Sequence, residues 1–240
     1  WSRGLGDVYK RQPVAELDEY KAAGKLKGKV ALITGGDSGI GRSVAILYAK
    51  EGANVAIGYY DEHQDAEDTV KRLKELGVDA KAYAHDLKDE QQSKKLIDDV
   101  VKDFGSLNIL VNNGGVQFPR DNFEDITPDQ VKETFMTNIF GMMFLSQAAV
   151  PHLSKGDAII NTTSVTAYRG SGHLIDYSAT KGAIVSFTRS LATTLMEKSI
   201  RVNAVAPGPI YTPLIPSTFD EEKVENCLLY TSDAADEGLG

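Results

Sequence analysis

The hydrophobic positions of this chain follow two alternating patterns. Short runs of aliphatic residues predict six strands: KVALIT, NVAIGY, DAKAYAHDL, NILVNN, DAIINTTS and IRVNAVAP. Between them, apolar residues recur every three or four positions. IGRSVAILYAKEG, EDTVKRLKELG and KKLIDDVVKDFG therefore predict helices that end at Gly52, Gly77 and Gly105. This alternation favours an α/β fold with one parallel sheet covered by helices on both faces.

Two longer helical patterns occupy the second half of the chain. TPDQVKETFMTNIFGMMFLSQAAVPHL predicts one long helix, with Thr127 as its N-cap and Pro128 in its first turn. DYSATKGAIVSFTRSLATTLMEKS predicts another. Because crossovers between parallel strands are right-handed, few topologies remain. We predict a doubly wound, Rossmann-type sheet in a single domain.

Composition argues against several classes of function. The net charge of the 240 residues is −8, and no cluster of positive charge marks a nucleic-acid surface. No apolar run reaches the roughly 18 residues of a membrane span, and no secretory signal opens the chain, so we expect a cytoplasmic protein. The single cysteine excludes an internal disulfide, and the four histidines show no metal-ligand spacing, so we expect no metal.

A glycine-rich segment, TGGDSGIGR, follows the first predicted strand and opens the first helix. Gly35, Gly39 and Gly41 permit a sharp turn and a close approach of the backbone to a ligand. The helix N-terminus behind them presents free N–H groups to a pyrophosphate. A tight strand-to-helix turn is the alternative, but the position in a βαβ unit favours phosphate binding.

Polar segments follow three further strands: HDL, NNGG and PGPIYTP. Ligands of doubly wound sheets bind beyond the carboxyl ends of the strands, so we expect Asp86 and Asn113 beside an adenine and its ribose. Turns stabilised by these side chains, and a rigid proline loop, are the alternatives.

A third group of residues carries candidate chemistry. Ser164 follows the fifth strand, and Tyr177 and Lys181 lie one helical turn apart, so they share a helix face. Tyr177 sits near the helix N-terminus, whose dipole favours a phenolate. A solvated helical pair without chemistry is the alternative.

Taken in order, the motifs T-G-x-x-x-G-I-G, N-N-x-G, S…Y-x-x-x-K and P-G resemble the short-chain dehydrogenase/reductase family over residues 26–226. Gly114 departs from the family's usual alanine. The segments YKAAGKLKGKVALITGGDSGIGR and HLIDYSATK resemble a bacterial subgroup with an N-terminal arm, described in part as aldehyde reductases or glucose dehydrogenases.

The resemblance implies an oxidoreductase that transfers hydride between NADP or NAD and a small carbonyl or alcohol substrate. Tyr177 is then the general acid or base, with its pKa lowered by Lys181 and by an oxidised nicotinamide. Ser164 holds the substrate oxygen, and Asn138 kinks its helix and anchors a water. The implied catalytic residues are Asn138, Ser164, Tyr177 and Lys181. The implied cofactor-binding residues are Gly35, Asp37, Ser38, Gly39, Ile40, Gly41, Asp86, Leu87, Asn113, Gly114, Gly115, Tyr177, Lys181, Pro207, Gly208, Ile210 and Thr212.

The choice between the two cofactors depends on the end of the second strand. Gly58 and Tyr59 stand where an acidic residue would select NAD, and Arg42 could reach a 2′-phosphate, so we favour NADP. A non-catalytic dinucleotide-binding module and an inactive fragment of such an enzyme are the alternatives.

The resemblance also implies a substrate pocket and an assembly. We expect the pocket to be lined by Val116, Gln117, Phe118, the segment 166–173 and the residues after Thr212. We expect a homotetramer or dimer that packs the helices of Asn138 and Tyr177 between subunits.

The two ends of the chain do not continue the pattern. They hold the only tryptophan and the only cysteine, and they resemble translated sequencing-adapter sequence; natural disordered tails are the alternative. We assign residues 1–12 to a non-native leader, 13–25 to an N-terminal arm, 26–226 to the dinucleotide-binding catalytic domain and 227–240 to a non-native tail. The natural chain would then be cut short soon after Asn226, and the family's last strand would be missing beside the sixth.

Overall fold

A computed structural model describes residues 15–16, 19–210 and 212–214 of the chain. The predicted leader and tail, and most of the segment after Thr212, lie outside these residues. The described part forms one six-stranded sheet in the order β3-β2-β1-β4-β5-β6, and all its neighbouring strands are parallel. The predicted doubly wound sheet is therefore confirmed. The strands are β1 (Val30–Thr34), β2 (Asn54–Tyr59), β3 (Ala80–Ala84), β4 (Ile109–Asn112), β5 (Ala158–Thr162) and β6 (Arg201–Val205).

The sheet separates two hydrophobic layers. Leu32, Leu110 and Ile159 contribute to a cluster on one face, whereas Ile33 and Ile57 contribute to a cluster on the other. All five side chains are fully buried, which stabilises the fold by about 1.5–3 kcal/mol each. Because helices cover both faces of the sheet, side chains on both sides of the central strands are buried. This explains the continuous apolar runs in their sequences.

Seven α-helices connect and cover the strands within the described residues. They are α1 (Gly39–Lys50), α2 (His63–Glu75), α3 (Glu90–Phe104), α4 (Pro128–Phe135), α5 (Gly141–Ala149), α6 (Thr166–Arg169) and α7 (Ile175–Leu195). The Asp89 side chain accepts hydrogen bonds from the first backbone N–H groups of α3, and Gly105 ends that helix in the left-handed region with φ of 80°. None of the helices in the described ranges is long and apolar enough to cross a membrane.

The long helix predicted after Thr127 is helical throughout residues 128–152, but its turns are not uniform. Thr127 does cap α4, accepting a hydrogen bond from the backbone N–H of Gln130 at 3.2 Å. However, a π-helical turn at Met136–Phe140 separates α4 from α5, and a 3-10 turn at Val150–His152 follows α5. A π turn inserts an extra residue, and such turns are frequent at functional sites. Here the turn contains Asn138.

The part of the N-terminal arm that the structure describes is attached to the end of α1. The carboxylate of Glu51 is buried and accepts hydrogen bonds from the Tyr20 hydroxyl and from the backbone N–H groups of Ala23 and Lys25. These bonds lower the pKa of Glu51, with the Tyr20 contact contributing most. The arm therefore packs on the surface away from the carboxyl ends of the strands.

Candidate active site

A cleft of about 910 Å³ lies along the carboxyl edge of the sheet. It brings together nearly all of the predicted site residues from segments far apart in sequence. Most residues that the sequence predicts to bind a cofactor line this cleft. They are Gly35, Asp37, Ser38, Gly39, Ile40, Asp86, Leu87, Asn113, Gly114, Gly115, Tyr177, Lys181, Pro207, Gly208, Ile210 and Thr212. Ser164 also lines it, whereas Gly41 and Asn138 lie behind its wall.

The glycine loop between β1 and α1 forms one side of the cleft. Gly35 and Gly39 have φ of 60° and 52°, values that favour glycine. A Cβ on Gly41 would stand 1.8 Å from the carbonyl oxygen of Gly35, so Gly41 is required for the loop to pack on its own helix. The Ser38 side chain does not cap α1, and the first turn has no acidic residue. The helix N-terminus thus lies at the cleft with no acidic residue in its first turn, which suits a bound phosphate.

The loop after β4 is fastened to the loop after β1. The Thr34 hydroxyl oxygen accepts hydrogen bonds from the backbone N–H groups of Asn113 and Gly114 at 2.9 and 3.0 Å. The Asn113 amide donates to the Thr34 carbonyl and accepts from the Thr162 hydroxyl. Asn113 therefore joins the ends of three strands. A Cβ on Gly114 would lie 2.9 Å from Leu87 Cδ1, so the side chain of Leu87 occupies the space of the family's usual alanine methyl.

Ser164, Tyr177 and Lys181 meet at the other side of the cleft, as the sequence predicts. The Ser164 hydroxyl accepts a hydrogen bond from the backbone N–H of Thr166 at 3.2 Å and lies close enough to the Tyr177 side chain to lower its pKa. Lys181 Nζ lies 5.3 Å from the centroid of the Tyr177 ring and donates to the Thr162 carbonyl at 2.9 Å. Ser164 and Lys181 are only 7% and 4% exposed, so the group is largely shielded from water.

Burial controls the proton affinities of this group. Desolvation raises the pKa of Tyr177, and the Ser164 hydroxyl only partly offsets that increase. Desolvation also lowers the pKa of Lys181 to about 8. The predicted lowering of the Tyr177 pKa by Lys181 and an oxidised nicotinamide concerns the protein with its cofactor bound, so it stays a prediction; in the chain alone, desolvation dominates.

Asn138 acts behind this group. Its side-chain oxygen accepts from the backbone N–H of Val116, and its amide donates to the Val116 carbonyl, both at 2.8 Å. The amide also donates to the Thr180 hydroxyl at 3.2 Å. Because Val116 follows β4 and Thr180 precedes Lys181, the π turn fixes the position of α7 relative to the loop after β4.

The structure also places several residues differently from the prediction. Val116 and Gln117 line the cleft, but Phe118 does not. The predicted loop 166–173 begins with the short helix α6. Arg42 does not line the cleft, although its guanidinium Nε is buried and has no hydrogen-bond partner among the described residues.

The sequence interpretation missed four residues that line the end of the cleft nearest β2 and β3. They are Tyr60, Glu62, Asp65 and His85. Their position directly after β2 or β3, or in the first turn of α2, was the available signal. The described residues contain no group of three or more potential metal ligands.

A doubly wound parallel sheet, with a glycine loop and a buried serine, tyrosine and lysine at its carboxyl edge, defines an α/β oxidoreductase. The chain belongs to the short chain dehydrogenase family, whose model matches residues 29–223. It is 57% identical to the uncharacterized oxidoreductase YhdF of Bacillus subtilis, over 89% of this chain and 74% of the relative. It is 48% identical to NADPH-dependent aldehyde reductase 1, chloroplastic, of Arabidopsis thaliana, over 93% and 80%.

A solved structure supports the same assignment. A short chain dehydrogenase from Burkholderia cenocepacia, crystallised with NADP, superposes with a TM-score of 0.79 at 35% identity, over 84% of this chain and 82% of that one. The chain is therefore an oxidoreductase of the dehydrogenase or reductase type.

Proposed function

We propose that this protein reduces a small carbonyl compound, or oxidises the corresponding alcohol, with a nicotinamide dinucleotide and with Tyr177 as the acid or base. One observation carries the proposal: the Tyr177 side chain, beside Lys181, lines the same cleft as Ser164 and the glycine loop. When bound, the dinucleotide supplies or accepts the hydride.

The residues of the cleft fit such a cofactor. The N-terminus of α1 and the turn at Gly35 and Gly39 would bind its pyrophosphate. A lysine has three N–H donors, and the Thr162 carbonyl takes one from Lys181, so others are available to the ribose beside the reacting ring. The Burkholderia relative was crystallised with NADP, and the Arabidopsis relative is named NADPH-dependent.

The chain's own residues would manage the proton. The raised pKa of Tyr177 keeps its phenol protonated near neutral pH, ready to donate to the oxygen of a carbonyl substrate. The Ser164 hydroxyl would hold that oxygen by a hydrogen bond. Because the group is buried, these polar contacts act in a medium of low dielectric constant and gain strength.

The distinction between NAD and NADP depends on the adenosine end of the cleft. The sequence-based preference for NADP rested on the missing acid at Gly58 and Tyr59 and on Arg42, and Arg42 does not line the cleft. Glu62 and Asp65 do line it, and their negative charges would oppose a 2′-phosphate. We propose that the chain binds either dinucleotide and that these acids weaken the binding of NADP.

A non-catalytic binding module has less support, because such a module needs no buried proton donor. A cytoplasmic location and a homotetramer or dimer stay predictions of the resemblance. For the assembly, Phe140 and Met143 are half-exposed near the π turn and α5, and they offer an apolar surface.

The substitution Tyr177→Phe tests the proposal against Tyr168→Phe, a control at an exposed residue of α6 that does not line the cleft. NADPH oxidation would be followed with a panel of aldehydes, and cofactor affinity by calorimetry. We expect Tyr177→Phe to lower kcat by about 10²–10⁴ with little change in cofactor affinity, and Tyr168→Phe to change neither. Turnover retained by Tyr177→Phe would refute the role of Tyr177.

A further inference from the structure

His85 is a buried histidine that the reaction described above does not use. It directly follows β3, and its backbone N–H donates to the Tyr59 carbonyl at 2.9 Å, which extends the pairing of β3 with β2. The side chain is 6% exposed and lines the cleft. The backbone therefore holds the imidazole at the carboxyl edge of the sheet.

The imidazole lacks hydrogen-bond partners within the described residues, because neither ring nitrogen makes such a bond. Burial lowers the pKa of His85, although the nearby backbone of Tyr83, the carboxylate of Asp86 and the backbone of Tyr59 favour the charged ring. Burial thus favours the neutral ring, which has one nitrogen as a donor and the other as an acceptor. Buried polar atoms left unpaired destabilise a fold, so such atoms require an explanation.

The imidazole ring also packs closely against Gly58, which occupies the position where an acidic residue is expected. A Cβ on Gly58 would lie 2.6 Å from His85 Cε1 and 3.1 Å from Nδ1. The imidazole therefore covers the Gly58 backbone, and only glycine leaves the necessary space. At the end of β2, where an acidic residue is expected, the sequence has Gly58, and the His85 ring packs against that glycine.

The order of the strands determines which part of a bound dinucleotide would reach His85. The reacting group lies at β5 and α7, and the phosphate-binding loop follows β1. A dinucleotide whose pyrophosphate binds that loop and whose reactive ring faces Tyr177 must extend its other half over β2 and β3. That half is the adenosine.

The chemistry of the ring agrees with this placement. A neutral imidazole needs one acceptor and one donor from its ligand. The phosphate groups offer only acceptors, whereas the adenine edge and the ribose hydroxyls offer both. We propose, on the basis of the function proposed above, that the His85 imidazole hydrogen bonds to the adenosine moiety of the cofactor and replaces the acidic residue missing from the end of β2.

The test uses the full chain and measures the binding of ADP by calorimetry, which involves no turnover. We expect His85→Leu, of similar volume, to weaken ADP binding about five- to tenfold. His85→Gln keeps a donor and an acceptor, so we expect it to retain most of the affinity and to serve as a second folded variant. His152→Leu, at an exposed histidine after α5, is the control and should bind like the wild type.

Two analogues identify the contacted group. Inosine diphosphate lacks the adenine amino group, and 2′-deoxy-ADP lacks one ribose hydroxyl. The wild type should discriminate against one of them, and His85→Leu should lose that discrimination. Wild-type affinity and unchanged discrimination in His85→Leu would overturn the proposal while leaving the enzyme function intact. Failure of the wild type to bind ADP, NAD and NADP would instead refute the function on which the proposal rests.

Discussion

Lys181 Nζ lies 5.3 Å from the centre of the Tyr177 ring, but its hydrogen bond goes to the Thr162 carbonyl. The two side chains therefore share a buried site without a direct hydrogen bond between them. Burial moves both toward their neutral forms, since it raises the pKa of Tyr177 and lowers that of Lys181. The protonated Tyr177 hydroxyl can therefore donate a proton. A bound ligand with positive charge would lower the pKa of Tyr177 and favour the phenolate, which accepts one.

The buried amine predicts a specific dependence of stability on pH. The pKa of Lys181 is about 8 in the folded chain, against an ordinary value of 10.5. Between these values the unfolded chain binds more protons, so stability is lost as pH falls from 10.5 to about 8 and changes little from this group below 8. We expect the free energy of unfolding of the wild type to rise by about 2 kcal/mol from about pH 7 to about pH 9.5, relative to Lys181→Met.

Urea denaturation of both proteins at the two pH values measures this difference. The upper pH stays below the ordinary pKa of tyrosine, above which the raised pKa of Tyr177 would lower stability instead. If the free energies of unfolding of the two proteins changed equally with pH, the lowered pKa of Lys181 would be contradicted.

Replacement by alanine should change the stability of the fold in opposite directions at two helical glycines. A Cβ on Gly41 would meet the Gly35 carbonyl oxygen at 1.8 Å, whereas a Cβ on Gly182 would meet nothing within 4 Å. We expect Gly41→Ala to destabilise the fold by about 3 kcal/mol or more and to abolish ADP binding, because the loop must move. We expect Gly182→Ala to stabilise α7 by about 0.5–1 kcal/mol.

Thermal and urea unfolding, with calorimetry for ADP, would check both variants. Normal binding by a stable Gly41→Ala protein would contradict the close packing of the glycine loop on α1.

The acidic end of the cleft should affect the two dinucleotides unequally. Asp65 lines the cleft, and Asp37 nearby has its pKa raised by burial first and also by the charge of Asp65. We expect Asp65→Asn to increase the affinity for NADP relative to NAD by about two- to fivefold at low salt, because only NADP carries the 2′-phosphate. Asp68→Asn, on the exposed side of α2, should leave the ratio unchanged.

Fluorescence titration with NADPH and NADH at two salt concentrations gives the ratio. An unaltered ratio in Asp65→Asn would mean that the 2′-position of the ribose lies away from this acid.

Much of the site could be predicted because topology converts sequence position into spatial position. Residues directly after parallel strands meet at one edge of the sheet, so the segments holding Gly35, Asp86, Asn113 and Ser164 had to lie together. The i and i+4 spacing then placed Tyr177 and Lys181 on one helix face. The described structure bears out both placements, while the roles of these residues stay proposals.

Other features depended on contacts that no local pattern reports. The family resemblance implied a kink at Asn138, but local periodicity does not show the π turn there, and the Asn138 side chain is satisfied by the backbone of Val116, distant in sequence. The pKa of Tyr177 depends on how much water the folded chain removes, which spacing does not indicate.

The sequence by itself determined the strands, the order of the motifs and the family, because buried parallel strands and glycine turns leave local signatures in the chain. Tertiary structure alone decided that Arg42 lies off the cleft, that Glu62 and Asp65 line it, and that the His85 ring covers Gly58 with no hydrogen bond to another described residue. Desolvation and hydrogen-bond partners are properties of the neighbours that folding brings together, and those neighbours come from segments that are separate in the sequence.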